Sequence, residues 1–416
     1  MKILWHSNSP WSNTGYGVQT ALFTPRLKAL GHEVALSANY GLAGSVQSWN
    51  GMRVYPSDGN FGNRTLGVWA AHFATDGNHG AGHVRDALVI TLADTWPLKA
   101  AEIFSQLNIA AWCPIDHEPV PAGVADFFRR TSAKPIAMSR FGERELRAAG
   151  FDPLYVPHGV ETSVYRPLPE SECREFRELI GVPDNAFIVG MVANNAGRNP
   201  SRKAFPQAID AFARFRETHP DAFLYLHAEP LGVQDGINLD KVLNLCGVPE
   251  HAVRWISPFL LEYGLPAPAM AQVYSAMDVL LSPSMGEGFG VPIIEAQACG
   301  TPVIVGGWTA MDELVGAGWK VDGDRWYDQG GMFGVTQEAF FHNPHIGSIV
   351  EALDAAYSER GNTAIAETAR EFAMEYDADA VTEHYWRPTL AALTGDETLP
   401  TVKLNRSQRR KLARAK

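Results

Sequence analysis

The sequence predicts an α/β protein of two or three domains built on open parallel sheets. Three observations carry this. The chain has 416 residues, more than one ordinary core holds. It opens as a strand over Lys2–Ser7, a loop leading to Gly15-Tyr16-Gly17, a helical pattern over residues 18–30 and a second strand after Gly31. Residues 282–302, SPSMGEGFGVPIIEAQACGTP, repeat the same grammar late in the chain: the apolar run Val279-Leu280-Leu281, a glycine turn, then a helix with Pro292 near its start.

Composition narrows the class. Hydrophobic residues make up 46% of the chain and charged residues 19%, as in a globular protein. A formal net charge of −11 argues against a chain-wide nucleic-acid binder. The four cysteines, Cys113, Cys173, Cys246 and Cys299, are far apart and lack metal-ligand spacing, so no metal site is expected and reduced, buried thiols are. MKILWHSN reads as the start of a strand and not as a signal peptide. No apolar run approaches the roughly 18 residues of a membrane span. A cytoplasmic location is expected.

Strands are predicted over residues 86–93, 109–115 and 135–138. The first two end in Asp94 and in Asp116-His117-Glu118. Ligands sit at strand ends in open parallel sheets, which makes these polar groups candidates for holding a ligand. Residues 41–80 are weakly periodic, and only short strands or loops can be placed there. Residues 162–184, with prolines and mixed charge, read as a linker. A second domain opens with the strand FIVGMVAN from Phe187, the basic loop NNAGRNPSRK and a helix. Arg198 and Lys203 lie five apart in that loop, ahead of a helix N-terminus, and Arg202 is a rival. Arg forks onto phosphate oxygens, Lys adds a point charge, and helix amides favour anions. Residues 322–345 look like an irregular insertion. Helices are expected over 346–357, 363–376 and 381–393.

The glycine turn carries two carboxylates eight positions apart, Glu287 before Gly288-Phe289-Gly290 and Glu295 about one turn into the helix. Such a turn leaves backbone N–H groups free at a helix start, suited to anionic or hydroxyl-rich ligands. With the following Ala296-Gln297-Ala298-Cys299-Gly300-Thr301-Pro302-Val303, this stretch resembles the E-x7-E signature of the retaining family-4 (group 1) glycosyltransferases, which have the GT-B fold.

The resemblance implies two Rossmann-like domains facing across a cleft, with the C-terminal helix returning to the first. It divides the chain into an acceptor domain (1–165), a linker (166–184), a nucleotide-sugar domain (185–375), a returning helix (376–396) and a basic tail (397–416). It also implies a nucleoside-diphosphate sugar as donor, UDP- or GDP-linked, with no cofactor or metal required. Gly15, Gly17, Arg198, Lys203, Gly288, Phe289, Gly290 and Glu295 would hold the donor, with Glu295 on the ribose. Glu287, with His117 and Asp116, would form the catalytic set; Asp94 and Glu118 would face the acceptor. Ser257 and Pro258 border the expected base site. His158, in the turn LYVPHGVE, reads as a hinge residue capping backbone groups. The acceptor could be a glycan, a lipid, a protein or a DNA base, and the basic residues of 403–416 could meet an anionic partner. The rival functions are another GT-B enzyme of nucleotide sugars, such as an epimerase, and a silent nucleotide-sugar-binding protein.

Overall fold

The computed structural model describes residues 1–77, 83–197, 200–233, 235–328 and 337–395. Arg198 and the basic tail therefore lie outside the described residues.

The first sheet has eight strands: β1 Lys2–Ser7, β2 Glu33–Ala38, β3 Gln47–Trp49, β4 Met52–Tyr55, β5 Ala87–Leu92, β6 Asn108–Cys113, β7 Lys134–Ala137 and β8 Leu154–Tyr155. Their spatial order is β3-β4-β2-β1-β5-β6-β7-β8, and all pairs are parallel except β3 with β4. Every residue of β5 (ALVITL) is buried, as expected of a strand covered by helices on both faces. The second sheet holds β9 Phe187–Val192, β10 Ala222–His227, β11 Val253–Trp255, β12 Val279–Ser282, β13 Val303–Gly306 and β14 Gly318–Val321. It is parallel throughout, in the order β11-β10-β9-β12-β13-β14. Strand order reverses between β1 and β5 in one sheet and between β9 and β12 in the other. At such reversals the loops at the carboxyl ends of the strands part and leave a crevice.

Three segments depart from the sequence reading. Residues 41–80 contain a helix, Leu66–Ala74, whose Leu66, Ala70 and Phe73 are buried. Its run of small and apolar residues gave no clear period. The stretch read as linker contains the helix Glu170–Leu179, which packs on the second domain: Arg177 donates to Ala276 O at 2.8 Å and Gln272 to Glu172 O at 2.9 Å. The insertion is not irregular throughout, since β15 Gly323–Tyr327 pairs antiparallel with β16 Phe340–Pro344. Two cysteines are buried and two half-buried, and all four are free thiols.

The C-terminal segment returns to the first domain as expected. It runs through Ala378–Val381, a π-helical turn over Thr382–Trp386, and Arg387–Thr394. Trp386 is fully buried against Trp5, Trp112 and Phe23, with ring centroids 5.4, 5.0 and 5.9 Å away. Among the described residues, no helix is long and apolar enough to cross a membrane.

Candidate active site

The site lies where the loops after β1, β5 and β6 meet the loops after β9 and β12. Steric fit brings the two domains together here. A Cβ on Gly288 would lie 2.2 Å from Pro114 Cβ, and one on Gly286 would lie 2.1 Å from the Asp116 carbonyl oxygen. No side chain fits in either place. The glycine turn of the second domain therefore lies directly on the backbone that follows β6.

Glu287 is buried in this turn. Its carboxylate contacts Lys203 Nζ and lies 3.2 Å from Arg202 Nη1. Arg202 also donates to Gly286 O at 2.6 Å and reaches across the cleft to Asp116 Oδ2 at 3.9 Å. Burial alone would push the Glu287 carboxyl up; Lys203 and Arg202 outweigh it and hold the pKa at about 2. Burial, followed by the neighbouring Arg202, lowers that of Lys203. The backbone N–H groups of Gly288, Phe289 and Gly290 donate to no described residue. Gly290 is the N-cap of the helix Val291–Ala298, so these amides sit at a helix start. The turn and the basic loop beside it thus bring two cations to one carboxylate, next in sequence to free amides.

Glu295 occupies a separate setting. It is buried on that helix and accepts from Tyr274 Oη at 2.9 Å, with Tyr165 as a second hydroxyl partner. Desolvation outweighs both hydroxyls and raises its pKa to about 7. None of the groups around Glu287 is among its partners.

On the first-domain side, Asp116 Oδ1 lies 2.6 Å from His117 Nδ1. Burial would raise the Asp116 carboxyl, but His117 and Arg202 hold it at about 2. Burial would lower the His117 imidazole, but Asp116 and then Asp328, 3.7 Å from Nε2, raise it to about 9. His117 is only 4% exposed and stacks 3.7 Å from the Phe341 ring of β16. It is placed to hold Asp116 rather than to meet a ligand. Glu118 joins the domains through its backbone: its N–H donates to Phe340 O at 3.1 Å, and its carbonyl accepts from Phe340 N at 2.9 Å.

Asp94, just past β5, remains open to solvent on the cleft floor. Desolvation by the surrounding protein and the Asp116 charge raise its pKa to about 6. Tyr16 feels both carboxylates and Arg202, and burial raises its hydroxyl well above the usual value.

The two glycines of the first loop differ. A Cβ on Gly17 would lie 2.2 Å from Ser12 O, so the turn itself demands that glycine, whereas one on Gly15 meets nothing within 4 Å. Gly15 leaves open space and Gly17 shapes the loop. His158 makes no hydrogen bond among the described residues, so it does not cap backbone groups. It packs instead on Trp112 and Phe289, with ring centroids 4.4 and 5.1 Å away, and burial lowers its pKa to about 3. Ser257 caps the short helix Pro258–Tyr263, its Oγ accepting from Leu260 N at 3.2 Å.

Sequence reasoning passed over Tyr16, Asp328 and Glu313, and ranked Arg202 behind Arg198. The basic loop contained Arg202 in plain view. The other three acquire neighbours only through tertiary contacts. Glu313 accepts from the backbone N–H groups of Arg140 and Phe141 at 2.8 and 3.0 Å, capping a helix of the opposite domain. Among the described residues, no group of three or more His, Cys, Asp or Glu side chains is arranged to hold a metal ion.

Comparison with known proteins agrees with this architecture. Residues 187–329 match the family described as Glycosyl transferases group 1. The D-inositol 3-phosphate glycosyltransferase of Stackebrandtia nassauensis is 31% identical over 166 residues, 37% of this chain and 33% of that protein. Its counterpart from Salinispora arenicola is 33% identical over 181 residues, 40% of this chain and 38% of that protein. The match spans about a third of the length of these curated relatives. Among solved structures, a glycosyltransferase from Rickettsia africae superposes with a TM-score of 0.67 at 15% identity, covering 95% of this chain and 100% of the other. HepE of Anabaena, solved with UDP and glucose, gives 0.65 at 17% identity, again covering 95% and 100%. The chain therefore has the GT-B fold, and its residues 187–329 are similar to the group 1 glycosyltransferases.

Proposed function

We propose that the protein transfers a sugar from a nucleoside-diphosphate sugar to an acceptor hydroxyl. The observation that carries this reading is the Lys203–Glu287–Arg202 cluster beside the free amides of Gly288–Gly290. Charge builds on the diphosphate as the glycosidic bond breaks. Fixed cations and helix-start amides stabilise that charge best where water is excluded. Arg202 and Lys203 take this role, joined by Arg198 in the family pattern. Glu287 and the amides hold the hydroxyls of the donor sugar, Glu295 takes the ribose, and Gly15 leaves room for the donor. UDP is the first nucleotide to test, because HepE was solved with it.

Asp116 and Asp94 face the acceptor, and His117 fixes Asp116. By family precedent the anomeric configuration is retained, with the leaving phosphate taking the acceptor proton and no metal needed.

The test is release of nucleoside diphosphate from a panel of UDP- and GDP-sugars. Wild type should turn over one donor, and Lys203→Ala should lose about ten- to a hundred-fold in rate, the scale of one charged hydrogen bond. Donor binding without release or transfer would favour a silent binding protein. Conversion of the sugar while still attached to the nucleotide would favour an epimerase.

A further inference from the structure

We propose that Asp94 selects a neutral acceptor, one with no phosphate or other anion beside the reacting hydroxyl. This rests on the transferase reading above and names its acceptor class. Asp94 follows β5, at the reversal of strand order, and Asp116 follows the neighbouring β6. Four described cations of the site region already face carboxylates. Arg202 and Lys203 face Glu287, His117 lies between Asp116 and Asp328, and Arg140 pairs with Glu143 at 2.6 Å. Asp94 has no ion pair among the described residues and stays open to the cleft.

An ionised carboxylate accepts hydrogen bonds from hydroxyls with both oxygens. The same carboxylate repels an anionic substituent, and like charges brought together are a common means of rejecting a wrong partner. Asp94 and Asp116 lie outside the 187–329 match, so the acceptor end can differ from that of relatives named for inositol 3-phosphate.

The test uses the full chain with the donor it turns over and two matched acceptor pairs, glucose with glucose 6-sulfate and myo-inositol with myo-inositol 3-phosphate. Transfer is read as kcat/KM. Where transfer is slow, the acceptor-induced shift in melting temperature of the UDP-loaded protein is read instead. The neutral member should be preferred by about tenfold or more, and Asp94→Asn should bring the preference within about threefold, chiefly through KM.

A second readout needs no variant. With glucose 6-sulfate, whose charge is constant, the wild-type preference should shrink as pH falls below about 6 and Asp94 takes up its proton. The groups facing Asp94 keep their charge between pH 5 and 8: Asp116 titrates at about 2 and His117 at about 9, while burial raises Tyr16 and Cys113, and carboxylates keep Arg202 charged. A charged acceptor used as well as its neutral partner overturns the proposal. So does a preference unchanged both in Asp94→Asn and across pH. Failure of all four acceptors also overturns it. In that case a donor-induced shift that persists leaves the transferase reading standing, and loss of that shift sinks both.

Discussion

Two glutamates of one motif are held in opposite protonation regimes, and the difference lies in their neighbours. Glu287 has two cations and a pKa of about 2; Glu295 has two phenols and a pKa of about 7. A carboxyl whose pKa is raised on folding contributes stability that is present below its unfolded value, near 4.5. That contribution is lost as pH rises through about 7. Glu295→Gln keeps an acceptor for the Tyr274 hydroxyl and removes the charge. It should match wild type near pH 4 and exceed it by about 1–3 kcal/mol at pH 8, measured by urea unfolding. The same variant should bind nucleotide more weakly if Glu295 meets the ribose. A stability gap that does not change with pH would show that ionisation of Glu295 is not the burden.

At the scale of elements, the domains are joined by parts that look unremarkable alone. Glu313 lies in a 3₁₀ turn of the second domain and caps the helix Arg140–Ala148 of the first. Anions and caps at a helix N-terminus each contribute about 0.5–2 kcal/mol. Glu313→Ala should therefore cost about 1–2 kcal/mol in chemical unfolding and loosen the domain contact, read as a larger radius of gyration in small-angle scattering. An unchanged radius would assign the residue to local stability alone. The strand ends at Asp94 and Asp116 and the E-x7-E turn were legible because a buried run followed by glycine or acid is a local pattern. The Glu313 cap was not, since its partner lies 173 positions away. The pairing of Glu118 with Phe340 was hidden for the same reason. The helix Leu66–Ala74 was missed because alanines and glycine blurred its period.

At the scale of the molecule, the two sheets, the cleft between their reversal points and the returning C-terminal segment are what the sequence resemblance predicts. The anchor of that return, Trp386 among Trp5, Trp112 and Phe23, follows from burying an aromatic where the first sheet meets the last helix. What the resemblance did not reach is the charge pattern of the cleft. Arg202 spans the two domains, bound to Glu287 and 3.9 Å from Asp116, so the two faces of the cleft share one electrostatic network. Donor occupancy should therefore alter how the acceptor side titrates and binds.

On the function proposed above, this network receives a nucleoside-diphosphate sugar. The most direct test is calorimetric titration of UDP- and GDP-sugars into wild type and Lys203→Met at 0.1 M salt. Wild type should bind one donor in the micromolar to millimolar range, and the variant should lose about tenfold or more. Equal affinity in both proteins, or no heat with any donor, would contradict that function.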